Sequence, residues 1–337
     1  MNKRRFTVKR GLLIIAFMSV LMLAIAVISI NSGKMNLSPF EVLDVVFGKG
    51  TDKQKLIVFE FRLPRMVLAI LVGIGMGASG CIMQSLLHND MASPGTLGIS
   101  SGSGLAVLIF VTVFSMQGVS AAITLPLLAF VGGITAAALI FLLSYRRGRD
   151  ISPTGLILTG VALSSGYGAL TTLLTLKLDQ NQMDFIQRWY AGSLWGDDWQ
   201  YLSVLAPWTL LLLIYVLYKS RILNALNLGS RTAVGLGVAV KPEFFGLSIA
   251  AVALSSGSVA LGGNFFFVGM ISPHMAKKLV GPNHVLMIPA ASLTGAIIVL
   301  LSDTIARTIG LGADIPTGII ITVLSTPYFL YLLAKAN

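Results

Sequence analysis

The chain has 337 residues, of which 55% are apolar and only 11% charged, with 24 Lys and Arg against 13 Asp and Glu. Soluble globular domains carry about 25% charged residues, so a water-soluble fold of this length could not hide so much hydrocarbon. The membrane is the expected solvent, and the net charge of +11 is expected to mark topology rather than binding of nucleic acid.

The apolar residues gather into runs of about 20, the helical length that crosses a hydrocarbon core. A basic flank, Lys3, Arg4, Arg5, Lys9 and Arg10, precedes the first run at 11–31. A secretory signal has such a flank, but the run is long and no Ala-x-Ala pattern follows, so it reads as a retained span. A long first loop, with an amphipathic stretch near 38–47, leads to a second span at 66–84. Further spans are expected at 97–117, 122–144, 154–176, 201–218, 244–261, 265–280, 286–306 and 316–334. By hydropathy alone the eighth could merge with the seventh, because Pro273, His274, Lys277 and Lys278 closely follow its apolar part. Residues 219–241 form a polar loop between the sixth and seventh spans.

A cytoplasmic amino terminus puts fifteen of the 24 Lys and Arg residues inside, among them Arg146, Arg147, Arg149, Lys219, Arg221, Arg231, Lys241, Lys277 and Lys278. The positive-inside rule favours that orientation, and an even span count returns the carboxyl terminus to the same side. Within the second span Gly73, Gly77 and Gly80 make a small-residue ridge of the kind that lets membrane helices approach closely. Pro316 suits the first turn of the last span, and Pro327 should kink it.

What the spans lack narrows the chemistry. Ion-coupled carriers keep acidic residues or histidines within their helices, at a cost that function or pairing must offset. Here only Asp303 stands inside a clear span, with Arg307 four residues later in the favoured acid-before-base order. An ion pair near the outer membrane surface is the expected reading, and a proton or sodium site has no second carboxylate to support it. No GxxxxGK[ST] loop occurs, so the chain has no nucleotide site of its own. His88, His274 and His284 are scattered, which gives no metal-ligand spacing, and Cys81 is the single cysteine. No catalytic constellation is found. The chain is expected to hold no cofactor and to leave any chemistry to a partner.

Three stretches carry a family resemblance. The first is Arg62-Leu63-Pro64-Arg65, then Leu68-Ala69, Val72-Gly73, Gly80, Met83-Gln84, Asn89, Ala92, Pro94-Gly95, Leu97-Gly98 and Gly102. The second runs from Gly263 to Gly269 and into Pro273-His274. The third is Asp303, Ala306-Arg307, Ile315-Pro316, Gly318 and Pro327 to Leu330. Together they closely resemble the FecCD permeases, the membrane subunits of siderophore, haem and cobalamin ABC importers. Asp90-Met91 departs from the family's usual Pro-Leu, Lys277 from its common arginine, and Ser325-Thr326 from its Gly-Ala.

The resemblance implies an all-α, polytopic fold of about ten transmembrane helices in the type II ABC importer architecture. It also implies a second permease chain, a cytoplasmic ATPase dimer, an extracytoplasmic binding protein and an iron-siderophore cargo, with haem or cobalamin as the alternatives. By resemblance, Arg62 and Arg307, with Arg65 nearby, meet carboxylates on the binding protein; structural ion pairing or lipid contact is the other reading. Leu228, Gly229, Ala233, Leu236 and Gly237 resemble the coupling element that seats in the ATPase, against an ordinary solvated loop. Ser152, Pro153 and Thr154 resemble a loop that narrows the inner end of the pathway, against a plain helix cap by Ser152. Trp189, with Tyr190 and Trp195, resembles the short outer helix beside the pathway, although aromatics are expected at any membrane interface. A secondary carrier and a polytopic membrane enzyme are the readings in other classes.

Overall fold

A computed structural model describes residues 7–33, 37–113, 119–144, 153–195, 197–309 and 315–336. Among these there is no strand. The helices are α1 (Val8–Asn31), α2 (Pro39–Val46), α3 (Asp52–Lys55), α4 (Leu63–Leu86), α5 (Ile99–Val113), α6 (Val119–Ser144), α7 (Pro153–Thr175) and α8 (Gln180–Tyr190). They continue with α9 (Trp199–Tyr218), α10 (Ser220–Leu226), α11 (Ser230–Gly235), α12 (Val240–Gly262), α13 (Phe266–Val280), α14 (His284–Ile309) and α15 (Thr317–Ala336). A π-helical segment, Leu56–Arg62, joins α3 to α4.

Helices stand at all ten places where spans are expected. Among the described residues seven, α1, α4, α6, α7, α9, α12 and α14, are long and apolar enough to cross a membrane. α5, α13 and the apolar part of α15 are shorter. The seventh and eighth do not merge. Gly263 ends α12 at φ +72, a left-handed conformation that favours glycine, and a side chain there would strike the carbonyl of Trp189.

Local signals start the polar helices. Ser38 and Glu41 close a capping box on α2, Thr51 and Gln54 on α3, and Asp179 and Gln182 on α8, each satisfying amide N–H groups that the first turn leaves open. The Ser38 N–H and hydroxyl hold the Glu41 carboxyl below its usual pKa.

The helices sort into a hub and a rim. In their most apolar stretch α4, α12 and α14 are 83%, 78% and 67% buried, whereas α1, α6, α7 and α9 are between 17% and 28% buried. The first three are therefore the core, and the other four present their apolar faces outward. The predicted glycine ridge explains how the hub closes. Side chains at Gly73 and Gly77 would strike the backbone of Gly295 and Ala291 in α14, and one at Gly80 would strike the Gly269 carbonyl in α13. Polar side chains tie α4 to α12 and α13, and α9 to α12, without exposing backbone. Ser79 donates to the Ala251 carbonyl at 2.7 Å, Gln84 to that of Met270 at 2.9 Å and Trp208 to that of Ala253 at 3.0 Å, as membrane interiors require.

Candidate functional site

α14 fixes a length scale for everything else. From His284 to Asp303 it rises about 28 Å at 1.5 Å per residue, close to the thickness of a hydrocarbon core. The two residues therefore mark opposite ends of the bundle.

At the Asp303 end lies a buried carboxylate surrounded by cations. Asp303 is fully buried. Its Oδ1 accepts from Arg65 Nε at 3.1 Å and Thr317 Oγ1 at 3.1 Å, and stands 3.0 Å from Arg65 Nη2; its Oδ2 accepts from Arg307 Nε at 2.9 Å. Arg307 continues to Ser29 Oγ at 2.6 Å, and Arg65 to Asp197 Oδ2 at 3.3 Å. One carboxylate thus joins α1, α4, α14, α15 and the chain after α8. Arg62, also buried, donates to the Ile30 carbonyl in the last turn of α1.

These arginines line a cavity of about 880 Å³, with Arg188, Asp184, Asp197, Phe61, Phe185, Trp189 and Trp195 on its other walls. Trp189 is buried and donates Nε1 to the Ala260 carbonyl at 3.2 Å, which anchors α8 on the hub. Arg188, one residue earlier, is exposed and has no ion-pair partner among the described residues. The result is an aromatic-walled, cation-rich mouth, suited to an acidic partner.

The His284 end carries the short helices. α10 and α11 form a helix-turn-helix in which Gly229 and Gly237 take φ of +96 and +82. Leu223, Leu226 and Ala233 are buried, while Leu228, Val234 and Leu236 are 64%, 63% and 62% exposed. An apolar knob therefore projects at this end. Lys219, just before α10, pairs with Glu243 at 2.7 Å, which holds its ammonium above the usual pKa. Nearby, Lys277 Nζ meets both oxygens of Asp90 at 2.8 Å.

A family model described as the FecCD transport family matches residues 21–335. This chain belongs to the FecCD transport family. It is 41% identical to the iron(3+)-hydroxamate import system permease protein FhuG of Bacillus subtilis, covering 97% of this chain and 98% of that one. It is 36% identical to the hemin transport system permease protein HmuU of Yersinia pestis, covering 96% of each. Among solved structures it resembles one described as an inward-facing conformation of a metal-chelate type ABC transporter, with TM-score 0.80, 29% identity, and 96% and 99% of the two chains covered. A FecCD permease is a non-enzymatic, multi-pass component of the cell membrane that works with a partner permease, an ATPase and a substrate-binding protein.

For a FecCD permease the predicted residues fall as follows. Arg62, Arg65 and Arg307 come together at one end, and the Asp303–Arg307 pair forms at its expected spacing. Their guanidinium groups are turned inward on Asp303 and Ile30, so among the described residues the mouth cation with no ion-pair partner is Arg188. Gly229 and Gly237 make the expected turns, but Ala233 points into the protein and the outward apolar face belongs to Leu228, Val234 and Leu236. Thr154 lies exposed in the first turn of α7, which starts at Pro153, and Ser152 lies outside the described residues. Asp197, Ser29, Thr317 and Arg188 carried no signal in the linear sequence, since their partners or walls are distant in the chain.

Proposed function

We propose that this chain is the permease subunit of an importer for an iron(III)–siderophore complex, a hydroxamate first among them, energised by a separate ATPase. The observation that carries the reading is the two-ended arrangement: a cation-rich aromatic mouth at one end of α14 and an apolar knob at the other. The likeness to a hydroxamate permease over nearly the full chain supports the cargo class. In this reading the mouth faces outward toward the binding protein, both termini are cytoplasmic, and a second permease chain completes the pathway. The knob of Leu228, Val234 and Leu236 seats in a groove of one subunit of the ATPase dimer, and Gly229 and Gly237 shape it. ATP binding moves that groove, and the pathway opens alternately to each side, with Thr154 and the residues before it at the inner gate. Trp189 holds the short helix α8 beside the pathway.

Uptake of labelled iron hydroxamate into cells carrying the complete transporter tests the cargo. Unlabelled hydroxamate chelates should compete, and haem should not. Competition by haem alone would assign the chain to the haem branch. Uptake should also survive an uncoupler that leaves ATP intact, since no ion-coupling carboxylate pair exists among the described spans.

Two substitutions test the ends separately. Leu236→Asp places a charge in the apolar contact, which at a buried interface core typically costs 2 kcal/mol or more, about a 30-fold loss of affinity. The ATPase should no longer copurify, while the permease still elutes as folded protein. Arg188→Glu should slow association of the loaded binding protein in nanodiscs by about tenfold at low salt and by much less at high salt, the mark of a rim charge. Equal rates for Arg188→Glu and the unmodified protein would remove Arg188 from the docking surface.

A further inference from the structure

The knob's exposed leucines explain a contact but not how its movement reaches the pathway. A buried polar chain lies beside it. His284, 1% exposed, opens α14. Its Nδ1 stands 2.7 Å from Asn224 Oδ1 in α10, and its backbone N–H donates to the same oxygen at 2.9 Å. Its Nε2 meets the Ser85 hydroxyl in the last turn of α4. Asn224 Nδ2 in turn donates to Asn283 Oδ1 at 2.9 Å, so the whole amide is fixed. A neutral ring with its proton on Nδ1 suits this set: Nδ1 donates to Asn224, and Nε2 accepts the single Ser85 hydroxyl proton, for which the Cys81 carbonyl at 2.9 Å is the competing acceptor.

An imidazole buried at this depth is costly unless both nitrogens are bonded, and an apolar residue would fill the space without that requirement. What an apolar residue cannot supply is direction. Leu223 and Leu226 bury the inner face of α10, but packing of that kind tolerates sliding. Among the described residues, Asn224 alone ties α10 by side-chain hydrogen bonds to the first residue of α14 and, through the ring, to α4. Those two helices carry Arg65 and Asp303 at their far ends.

Resting on the proposed reading of the knob as the ATPase contact, we infer that His284 is a positioning residue that locks α10 in register with α4 and α14. Movement of the knob is then passed to the hub helices instead of being absorbed at the Lys219 bend. The lock acts through the Nδ1 side of the ring, because that side reaches α10.

Asparagine and glutamine separate the two sides. An asparagine amide occupies the Nδ1 position and keeps the bond to Asn224; a glutamine amide occupies the Nε2 position and keeps only the bond to Ser85. The assay uses the full transporter in proteoliposomes with its ATPase and binding protein. It reads chelate imported per ATP hydrolysed and the stimulation of ATPase activity by loaded binding protein. His284→Gln and Asn224→Leu should lower both by about fivefold, the order that a coupling residue carries, with the ATPase still bound. His284→Asn should stay within about twofold of the unmodified protein on the same scale. Equal values for His284→Asn and His284→Gln, whether both normal or both low, would overturn the inference, because it assigns the lock to the Nδ1 side of the ring. Leu236→Asp distinguishes the levels. If it retains the ATPase, the docking reading fails. If it sheds the ATPase while His284→Gln couples normally, docking stands and the positioning role falls.

Discussion

Replacing Asp303 with asparagine is expected to destabilise the folded permease by about 3 kcal/mol. Removing one partner of a buried ion pair costs about 3–5 kcal/mol, because the remaining charge stays where water cannot reach it. Here Arg307 would lose the Asp303 carboxylate, and Arg65 would be left with the more exposed Asp197. Both side chains retain some exposure, 24% for Arg65 and 17% for Arg307, which places the cost at the lower end of that range. Thermal unfolding of the purified protein in detergent measures it. Asp303→Asn combined with Arg307→Gln should be milder than the sum of the single changes, since the pair shares one network. Strict additivity, or an unchanged melting temperature for Asp303→Asn, would show that the carboxylate does not hold the arginines.

Gly80→Val should be more damaging still. A side chain at Gly80 would strike the backbone carbonyl of Gly269, and a carbonyl within a helix cannot swing aside as a flexible side chain can. α4 must then separate from α13, which also strains the Gln84 bond to Met270 four residues on. Overpacking typically costs about 1–3 kcal/mol where neighbours can adjust, so a contact between two backbones should exceed that range. The expected result is loss of folded protein from the membrane fraction. Gly166→Val is the control, since a side chain there meets nothing nearby; it should accumulate normally. Equal accumulation of the two variants would refute close packing of α4 on α13.

The helices were legible because hydrocarbon demands long apolar runs, and the Asp303–Arg307 pair because i and i+4 share a helical face. The glycine ridge was legible for the same reason of spacing. Arg65 was not, as a partner of Asp303: 238 residues separate them, and no local pattern encodes that distance. The inward turn of Ala233 escaped because a helix of six residues is too short for periodicity to fix a face. His284 looked scattered for a similar reason, with Asn224 60 residues and Ser85 199 residues away. The motif residues around Arg62 to Gly102 pointed to the family, while the physical tasks of those residues needed the packed helices.

The carboxylate of Asp303 also bears on biogenesis. Arg65 is synthesised 132 residues before Asp197 and 238 before Asp303, so α4 is made well ahead of either counter-ion. The buried carboxylate arrives only when α14 does, and Thr317 completes the set from α15. Closure of this ion cluster is thus a terminal event of assembly, and it joins the first and last helices of the chain. A chain that stops before α14 lacks this closure and leaves Arg65 with Asp197 alone among the charges of the cluster.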